Sequence, residues 1–370
     1  MKKITTFIKN EIVFSIACIL ALITMFFITP SSEYINYIDF HTLALLLSLM
    51  LVVQGLKSCG LFDSLVTSLM QHIKNQRQLA IMLVLLCFFS SMLITNDVAL
   101  ITFVPFTIII LDALNNPAYS IYLIVLETVA ANLGSMFTPI GNPQNLYLYS
   151  ISGISMIVFF KLMLPYTLIS LGLLFLAIYF IKPDNITTSS NAENHIKQIS
   201  LLIYLILFVV CIMTVLHILD FKLMLIIVIT TIFVTDYKLI TKADYLLLLT
   251  FIAFFIFIGN IKQIPAVNDL LSSLVQNREC IVAILASQIV SNVPCAMLLS
   301  GFTDNTNQLI IGTNLGGLGT LIASMASLIS FKFYAKTKDS NTGKYIAVFT
   351  ITNIIFLIIL VLGYYYISNY

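Results

Sequence analysis

Residues 91–100 read SMLITNDVAL and place the polar triplet Thr95-Asn96-Asp97 in the middle of an apolar run. The run extends from Leu79 to Leu111, so each arm has about 15 residues, fewer than the ~20 that a spanning helix needs. Irregular backbone at membrane depth is tolerated only where it is buried in protein or lines a cavity. We therefore predict a re-entrant hairpin over about 79–111, with the triplet at its tip.

The composition around this segment is that of a membrane protein. Of the 370 residues, 60% are hydrophobic and 9% are charged, whereas a soluble domain carries roughly 25% charged residues. These values exclude a soluble enzyme, a disordered chain and a nucleic-acid binder. They predict an all-α polytopic membrane protein with about nine spans and two hairpins, with the lipid bilayer as a partner and no nucleic acid.

The same kind of interruption recurs along the chain. A second apolar run, about 279–302, is broken by Ser291-Asn292-Val293-Pro294. Two further helices, about 121–150 and about 308–330, are interrupted by proline-rich or glycine-rich sequence that a continuous helix does not tolerate. We predict a second hairpin and two broken transmembrane helices.

The interruptions reveal an internal repeat. Ser91, Thr95 and Asn96 match Ser287, Ser291 and Asn292 at an offset of 196 (287 − 91), and Asn132-Leu133-Gly134 matches Asn314-Leu315-Gly316 at an offset of 182 (314 − 132). With a cytoplasmic N-terminus, the first hairpin would open from the inside and the second from the outside, so we predict that the repeats are inverted. We predict a first repeat over 1–181, a loop and linking helix over 182–220, and a second repeat over 221–370.

The basic residues indicate the orientation. With a cytoplasmic N-terminus, 14 of the 18 Lys and Arg residues fall on the cytoplasmic side, as the positive-inside rule requires. We therefore predict a multi-pass protein of the cytoplasmic membrane, with the loop over 182–198 inside. This chain contains no Walker A motif and no metal-ligand spacing of Cys or His, so we expect no cofactor.

Inverted repeats with interrupted helices are typical of secondary transporters, whose binding sites lie near the bilayer midplane. Unwound carbonyls suit a cation, and helix N-termini suit an anion. Asp97 is a candidate cation ligand, proton carrier or helix cap, because a carboxylate at membrane depth needs a partner. Glu127 is the second acidic residue inside a membrane run, and we consider a proton-coupling role for it.

The motifs around Thr95-Asn96-Asp97, residues 138–145, Ser291-Asn292-Val293-Pro294 and residues 312–330 resemble those of the ion transporter superfamily. This superfamily includes divalent anion/sodium symporters, citrate transporters, arsenite permeases and some sodium/proton antiporters. The resemblance implies a homodimeric carrier with an elevator-type mechanism. At the two hairpin tips the chain departs from the symporter pattern, since Asp97 and Val293 stand where a Thr is expected.

The resemblance also implies site residues. One cation site would use Ser91, Thr95, Asn96 and Gly141, and the other Ser287, Val290, Asn292 and Ala323, with Val290 and Ala323 acting through their carbonyls. The substrate would contact Asn96, Asn292 and Ser324. From the polar residues at the interruptions themselves we add Asp97 and Ser291 to the cation-binding residues and Asn142 to the substrate-binding residues.

The expected function is transport of a small anion, such as a di- or tricarboxylate, coupled to sodium or protons. Arsenite efflux and sodium/proton exchange are the alternatives, both favoured by Asp97. A channel would also accommodate broken helices, but it would show flux without coupling. An enzyme is not expected, because the sequence contains no cluster that resembles an activated nucleophile or a pair of catalytic carboxylates.

Overall fold

The computed structural model describes residues 11–70, 73–113, 119–185, 197–338 and 340–368. The first ten residues and most of the predicted linking loop lie outside this part of the chain. Within it the helices are α1 Ile12–Met25, α2 Tyr34–Tyr37, α3 Phe40–Ser58, α4 Leu61–Met70, α5 Gln76–Ile94, α6 Asn96–Ala113, α7 Ser120–Ser135, α8 Pro143–Ser152 and α9 Met156–Tyr179. The remaining helices are α10 Gln198–Val215, α11 Phe221–Asp236, α12 Tyr245–Lys262, α13 Pro265–Val275, α14 Glu279–Val290, α15 Asn292–Leu299, α16 Thr306–Leu315, α17 Met325–Ala335 and α18 Thr342–Ser368.

Seven segments of the described chain are long and apolar enough to cross a membrane. They are α3, α5, α9, α10, α11 with the 3₁₀ turn that follows it, α12 and α18. The helices α1, α7 and α14 are apolar but shorter. The predicted all-α polytopic membrane protein is confirmed.

Each segment that was predicted as a hairpin is a pair of packed helices, and re-entry into the membrane stays a prediction. The first arm, α5, has 19 residues and is long enough to cross a membrane, so the predicted arm length of about 15 residues was wrong. A single residue, Thr95, separates α5 from α6, and Ser291 alone separates α14 from α15. In each pair the two helices pack against each other, so the chain reverses at the tip. The first hairpin begins slightly earlier than predicted because Asn75 caps α5 by accepting a hydrogen bond from the Gln78 amide at 2.9 Å.

Both predicted helix breaks are present as well. α7 ends at Ser135 and α8 begins at Pro143, where the Asn142 side chain accepts the Asn145 amide at 2.8 Å. A proline at the first helical position fits this start, since its missing N–H would have no intrahelical partner there. In the second half, residues 316–324 separate α16 from α17.

Two segments that read as polar connections contain short helices, α4 and α13. In α4 the residues Phe62, Val66 and Met70 are buried and lie four residues apart, on one face. This spacing makes the helix amphipathic. Each of these helices packs on the helix before it, α4 on α3 and α13 on α12.

The helices form two groups by their contacts. The first, which we call the core unit, contains α5–α9 and α14–α18. In it α6 packs on α17 and α15 packs on α8, so each hairpin contacts the broken helix of the other half. The second, which we call the frame, contains α1–α4 and α10–α13, with α1 on α12 and α3 on α10 and α11. The two groups meet mainly where α3 contacts α8 and α12 contacts α15.

Candidate functional site

The two hairpin tips have the same backbone geometry. The Asn96 amide donates to the Gly141 carbonyl at 3.0 Å, and the Asn292 amide donates to the Ala323 carbonyl at 2.9 Å. Each tip asparagine is therefore fixed to the helix break of its own half. The positions correspond under the two sequence offsets, which supports the internal repeat.

The residue before each tip asparagine adopts a backbone conformation that favours glycine. Thr95 has a φ of 70° and Ser291 a φ of 73°, and a β-branched residue rarely has a positive φ. Such strain persists where the surrounding structure imposes it, often at functional sites. In both halves the turn directs an asparagine and the following helix N-terminus towards the buried interior of the core unit.

Buried amide side chains connect the halves. Asn132, near the end of α7, accepts hydrogen bonds from Asn96 Nδ2 and from Ser324 Oγ, each at 3.0 Å. Its own Nδ2 donates to Ser327 Oγ at 3.3 Å. Asn132 thus joins the first tip to the second helix break.

Asn314 of α16 makes the equivalent contacts in the opposite direction. Its Oδ1 accepts from Asn142 Nδ2 at 3.1 Å, and its Nδ2 donates to Asn145 Oδ1 at 2.6 Å. Asn142 and Asn145 correspond to Ser324 and Ser327 at the offset of 182. The contacts of Asn132 and Asn314 with the helix break of the opposite half are therefore two-fold symmetric.

Asn132 and Asn314 were missing from the predicted site residues. Both residues belong to the matched segments of the internal repeat. An asparagine at equivalent positions of two apolar helices was the signal that could have identified them. Their role depends on which residues of the other half they contact, and a single sequence does not contain that information.

We expect Asn132→Ala to lower the stability of the purified protein by about 1–3 kcal/mol, since Asn96 and Ser324 lose their acceptor and stay buried. Thermal unfolding in detergent measures the effect. The control is Asn268→Ala on α13, because the Asn268 side chain makes no hydrogen bond in the described structure. Equal stability of the two variants would contradict the role of the network.

Four helix N-termini converge on a cavity of about 10 Å³, the size of one water molecule. They belong to α6, α8, α15 and α17. The cavity is lined by Asn96, Asp97, Pro143, Gln144, Leu247, Asn292, Val293, Ser324 and Met325. Each N-terminus contributes a partial positive charge, so this cavity favours an anionic group. The amides of Asn96 and Asn292 already donate to the helix breaks, and Pro143 has no N–H, so the helix dipoles carry this preference.

A larger cavity of about 180 Å³ lies beside the first. Asp97, Pro143 and Leu247 line both of them. Lys242 and Asp244, close to the start of α12, lie at the larger cavity with Asp97. The wall from α3 is mostly apolar and consists of Leu46, Leu49, Met50, Val53 and Gln54.

The structure brings only part of the predicted site together. Asn96, Asp97, Asn292 and Ser324 line the small cavity, and Thr95 and Asn142 line the larger one. The remaining predicted residues line neither cavity: Ser91, Gly141, Ser287, Val290, Ser291 and Ala323.

Several of these residues outside the two cavities have hydrogen-bond partners within the protein. The hydroxyls of Ser91 and Ser287 donate to the carbonyls of Phe88 and Ala283, at 2.9 and 2.7 Å. The Gly141 and Ala323 carbonyls accept the tip amides described above. A carbonyl oxygen has two lone pairs, so cation binding there stays a prediction.

Comparison with known proteins agrees with this architecture. The sequence profile of a family described as citrate transporter matches residues 4–308. An uncharacterized transporter of Methanocaldococcus jannaschii is 33% identical over 97% of both chains. Inner membrane protein YbiR of Escherichia coli is 32% identical over 80% of both chains. A silicon efflux transporter of Oryza sativa subsp. japonica is 34% identical over 41% of this chain and 31% of its own length. The broken helices, the paired hairpins and these matches together place the chain in the citrate transporter family of membrane transporters.

Proposed function

We propose that the protein is a secondary active transporter that carries a small anion, such as a di- or tricarboxylate, across the cytoplasmic membrane together with sodium or protons. The convergence of four helix N-termini on one buried cavity carries this proposal. Helix dipoles stabilise an anion without a buried basic side chain. Asn96, Asn292 and Ser324 add neutral polar groups at the same place.

The two cavities together suit a substrate with a charged end and a less polar body. The small cavity accepts one carboxylate only if the hairpin tips or Leu247 of α12 move, since it holds about one water. The larger cavity offers about 180 Å³ beside a mostly apolar wall. The carboxylate would bind at the helix N-termini, with the rest of the substrate in the larger cavity.

Asp97 supplies the coupling in this proposal. Its carboxylate lines both cavities and repels an anion unless it binds a cation or a proton. A sodium ion or proton on Asp97 therefore favours anion binding, and the anion favours the cation by the same factor. Asp244 lies at the same cavity and adds a second negative charge for a cation.

The division into core unit and frame supports an elevator-type mechanism. The broken helices and hairpins hold one another through contacts between the halves, so they would move as one body. The contact surface from α3 is largely apolar, which permits sliding without breaking many hydrogen bonds. With the orientation given by the basic residues, Lys242 and Asp244 mark the cytoplasmic end, so the described conformation would face inwards. A homodimer would hold the two frames fixed.

Arsenite efflux or sodium/proton exchange is the second candidate, favoured by the carboxylate of Asp97 between the tips. An uncharged small acid tolerates a neighbouring carboxylate better than an anion does. The rice relative is named as an exporter of silicon, which is compatible with such a substrate.

The test is thermal unfolding of the purified protein with citrate, succinate, malate, phosphate, sulfate or arsenite, in sodium and in choline buffer. A ligand at 100 times its Kd stabilises by about 2.7 kcal/mol. We expect one anion to stabilise the protein more in sodium, or more at acidic pH, and Asp97→Asn to remove that dependence. Stabilisation by sodium alone would favour the exchanger, and arsenite alone would favour efflux. An anion effect that is independent of both sodium and pH would contradict coupling.

A further inference from the structure

A second carboxyl group lies inside the core unit, away from both cavities. Glu127 is in the middle of α7, and its side chain is 0% exposed. Thr107 Oγ1 of α6 donates to Glu127 Oε1 at 2.5 Å. Its other oxygen, Oε2, has no hydrogen-bond partner in the described part of the chain. An ionised carboxylate in such a place would be very poorly solvated.

The groups that face Glu127 leave its charge uncompensated. Cys87 of α5 and Tyr345 of α18 are the titratable groups within electrostatic reach. No basic side chain of the described residues contributes to its surroundings. The charged residues of the helices that pack on α7 lie at helix ends or are exposed: Arg77, Asp97, Asp112, Lys161, Lys332 and Lys344.

A polar side chain of the neighbouring helix lies beside Glu127. α18 packs on α7, and Tyr345 of α18, which is 0% exposed, is within electrostatic reach of Glu127. Buried polar atoms in native proteins are nearly always paired. The unpaired Oε2 of Glu127 therefore indicates that a proton or a water belongs there.

A cleft opens at one end of the core unit. It has a volume of about 880 Å³ and lies between the end of α6 and the end of α17. Pro105, Ile108 and Tyr334 line it. The Tyr334 ring stacks on Tyr345 at 4.9 Å between centroids. Tyr334 thus connects the cleft to Tyr345, which is within electrostatic reach of Glu127.

We propose that Glu127 is a proton-binding site of the transporter, which is loaded from this cleft past Tyr334 and Tyr345. A hydronium ion in the water of the cleft gives up its proton and remains as water, and Oε2 accepts the proton, so that a carboxylate becomes a neutral carboxylic acid. The acid can donate from Oε2 while Oε1 still accepts from Thr107. Asn132 follows five residues later on α7, so the protonation state of Glu127 acts on the helix that joins the two halves.

This inference rests on the proposed function for its meaning in transport, but protonation itself can be observed without a substrate. The experiment is infrared spectroscopy of the purified protein during a pH titration, with Glu127→Gln as the matched variant. We expect a carbonyl band of a buried carboxylic acid in the parent protein that decreases as the pH rises. Glu127→Gln should lack this band, and Asp97→Asn should retain it.

Two outcomes would overturn the proposal. One is that the parent protein shows no such pH-dependent band, and the other is that Glu127→Gln retains it. If Glu127→Gln does not fold, Thr107→Val serves instead. Loss of the donated hydrogen bond should then shift the frequency of the band, whereas an unchanged frequency would assign the band to another carboxyl.

Transport in proteoliposomes then tests the coupling. With a pH gradient as the driving force, transport by Glu127→Gln should respond less to the gradient than transport by the parent protein, while thermal stability is kept and Asp97 supplies the remaining response. A response equal to that of the parent protein would exclude Glu127 as a coupling site. A protonation band without any anion transport would instead leave the proton site intact and reject the proposed function.

Discussion

Replacement of Gly134 by alanine is expected to lower the stability of the protein by about 3 kcal/mol or more, at the upper end of the cost of overpacking. A Cβ atom at this position would lie 2.0 Å from the Phe88 carbonyl oxygen and 2.7 Å from Ser91 Oγ. The first neighbour is backbone, so no rotation of a side chain relieves the clash. α7 would have to move away from α5, the helix that it contacts most extensively.

Thermal unfolding in detergent and the yield of monodisperse protein measure this effect. The matched control is Gly172→Ala in α9, where a Cβ meets nothing within 4 Å. Alanine favours a helix over glycine by up to about 1 kcal/mol, so the control should be unchanged or slightly more stable. A Gly134→Ala protein as stable as this control would show that the close approach of α5 and α7 is wrong.

Gly316 is the equivalent glycine of the second half. There the atom nearest to an added Cβ would be Ser287 Oγ at 2.7 Å, which belongs to a side chain. Both glycines therefore let a hairpin arm approach a broken helix, next to the serines that the resemblance assigns to cation sites. At these positions the need for close packing explains glycine and serine without any bound ion.

The sequence predicted the hairpins and the helix breaks because these features have local causes. Polar residues inside an apolar run, and proline beside asparagine, are visible in one segment at a time. The repeat was visible as well, since Asn132-Leu133-Gly134 and Asn314-Leu315-Gly316 match. The short helices α4 and α13 were overlooked because they have only 10 and 11 residues and lie in stretches rich in polar residues.

The site could be predicted only in part because it forms between the halves. Asn96, Asn292 and Ser324 were expected together on the basis of the resemblance, and Asp97 was added because a carboxylate at membrane depth needs a partner. The convergence of α8 and α17 with the hairpin tips depends on how the halves pack, which no local pattern encodes. The same holds for the contact between Asn132 and Ser324, and for the unpaired oxygen of Glu127.

Linking α3 to α8 through cysteines is expected to abolish transport completely. His41 of α3 and Ser150 of α8 form a hydrogen bond of 2.9 Å between Nδ1 and Oγ, at one end of the contact between frame and core unit. If the core unit slides past the frame, this pair must separate in every transport cycle. A covalent link between the two positions should hold the described conformation.

The measurement uses His41→Cys with Ser150→Cys in proteoliposomes, treated with a short bifunctional methanethiosulfonate that a reductant removes. Transport should fall to the level of protein-free vesicles after treatment and return after reduction. Each single cysteine variant under the same treatment is the control, which also reports on the six native cysteines, five of them buried.

Undiminished transport by the linked protein would mean that α8 does not move relative to α3, and would reject the elevator mechanism. Binding of the anion to the linked protein, measured by thermal unfolding, separates loss of movement from loss of the site.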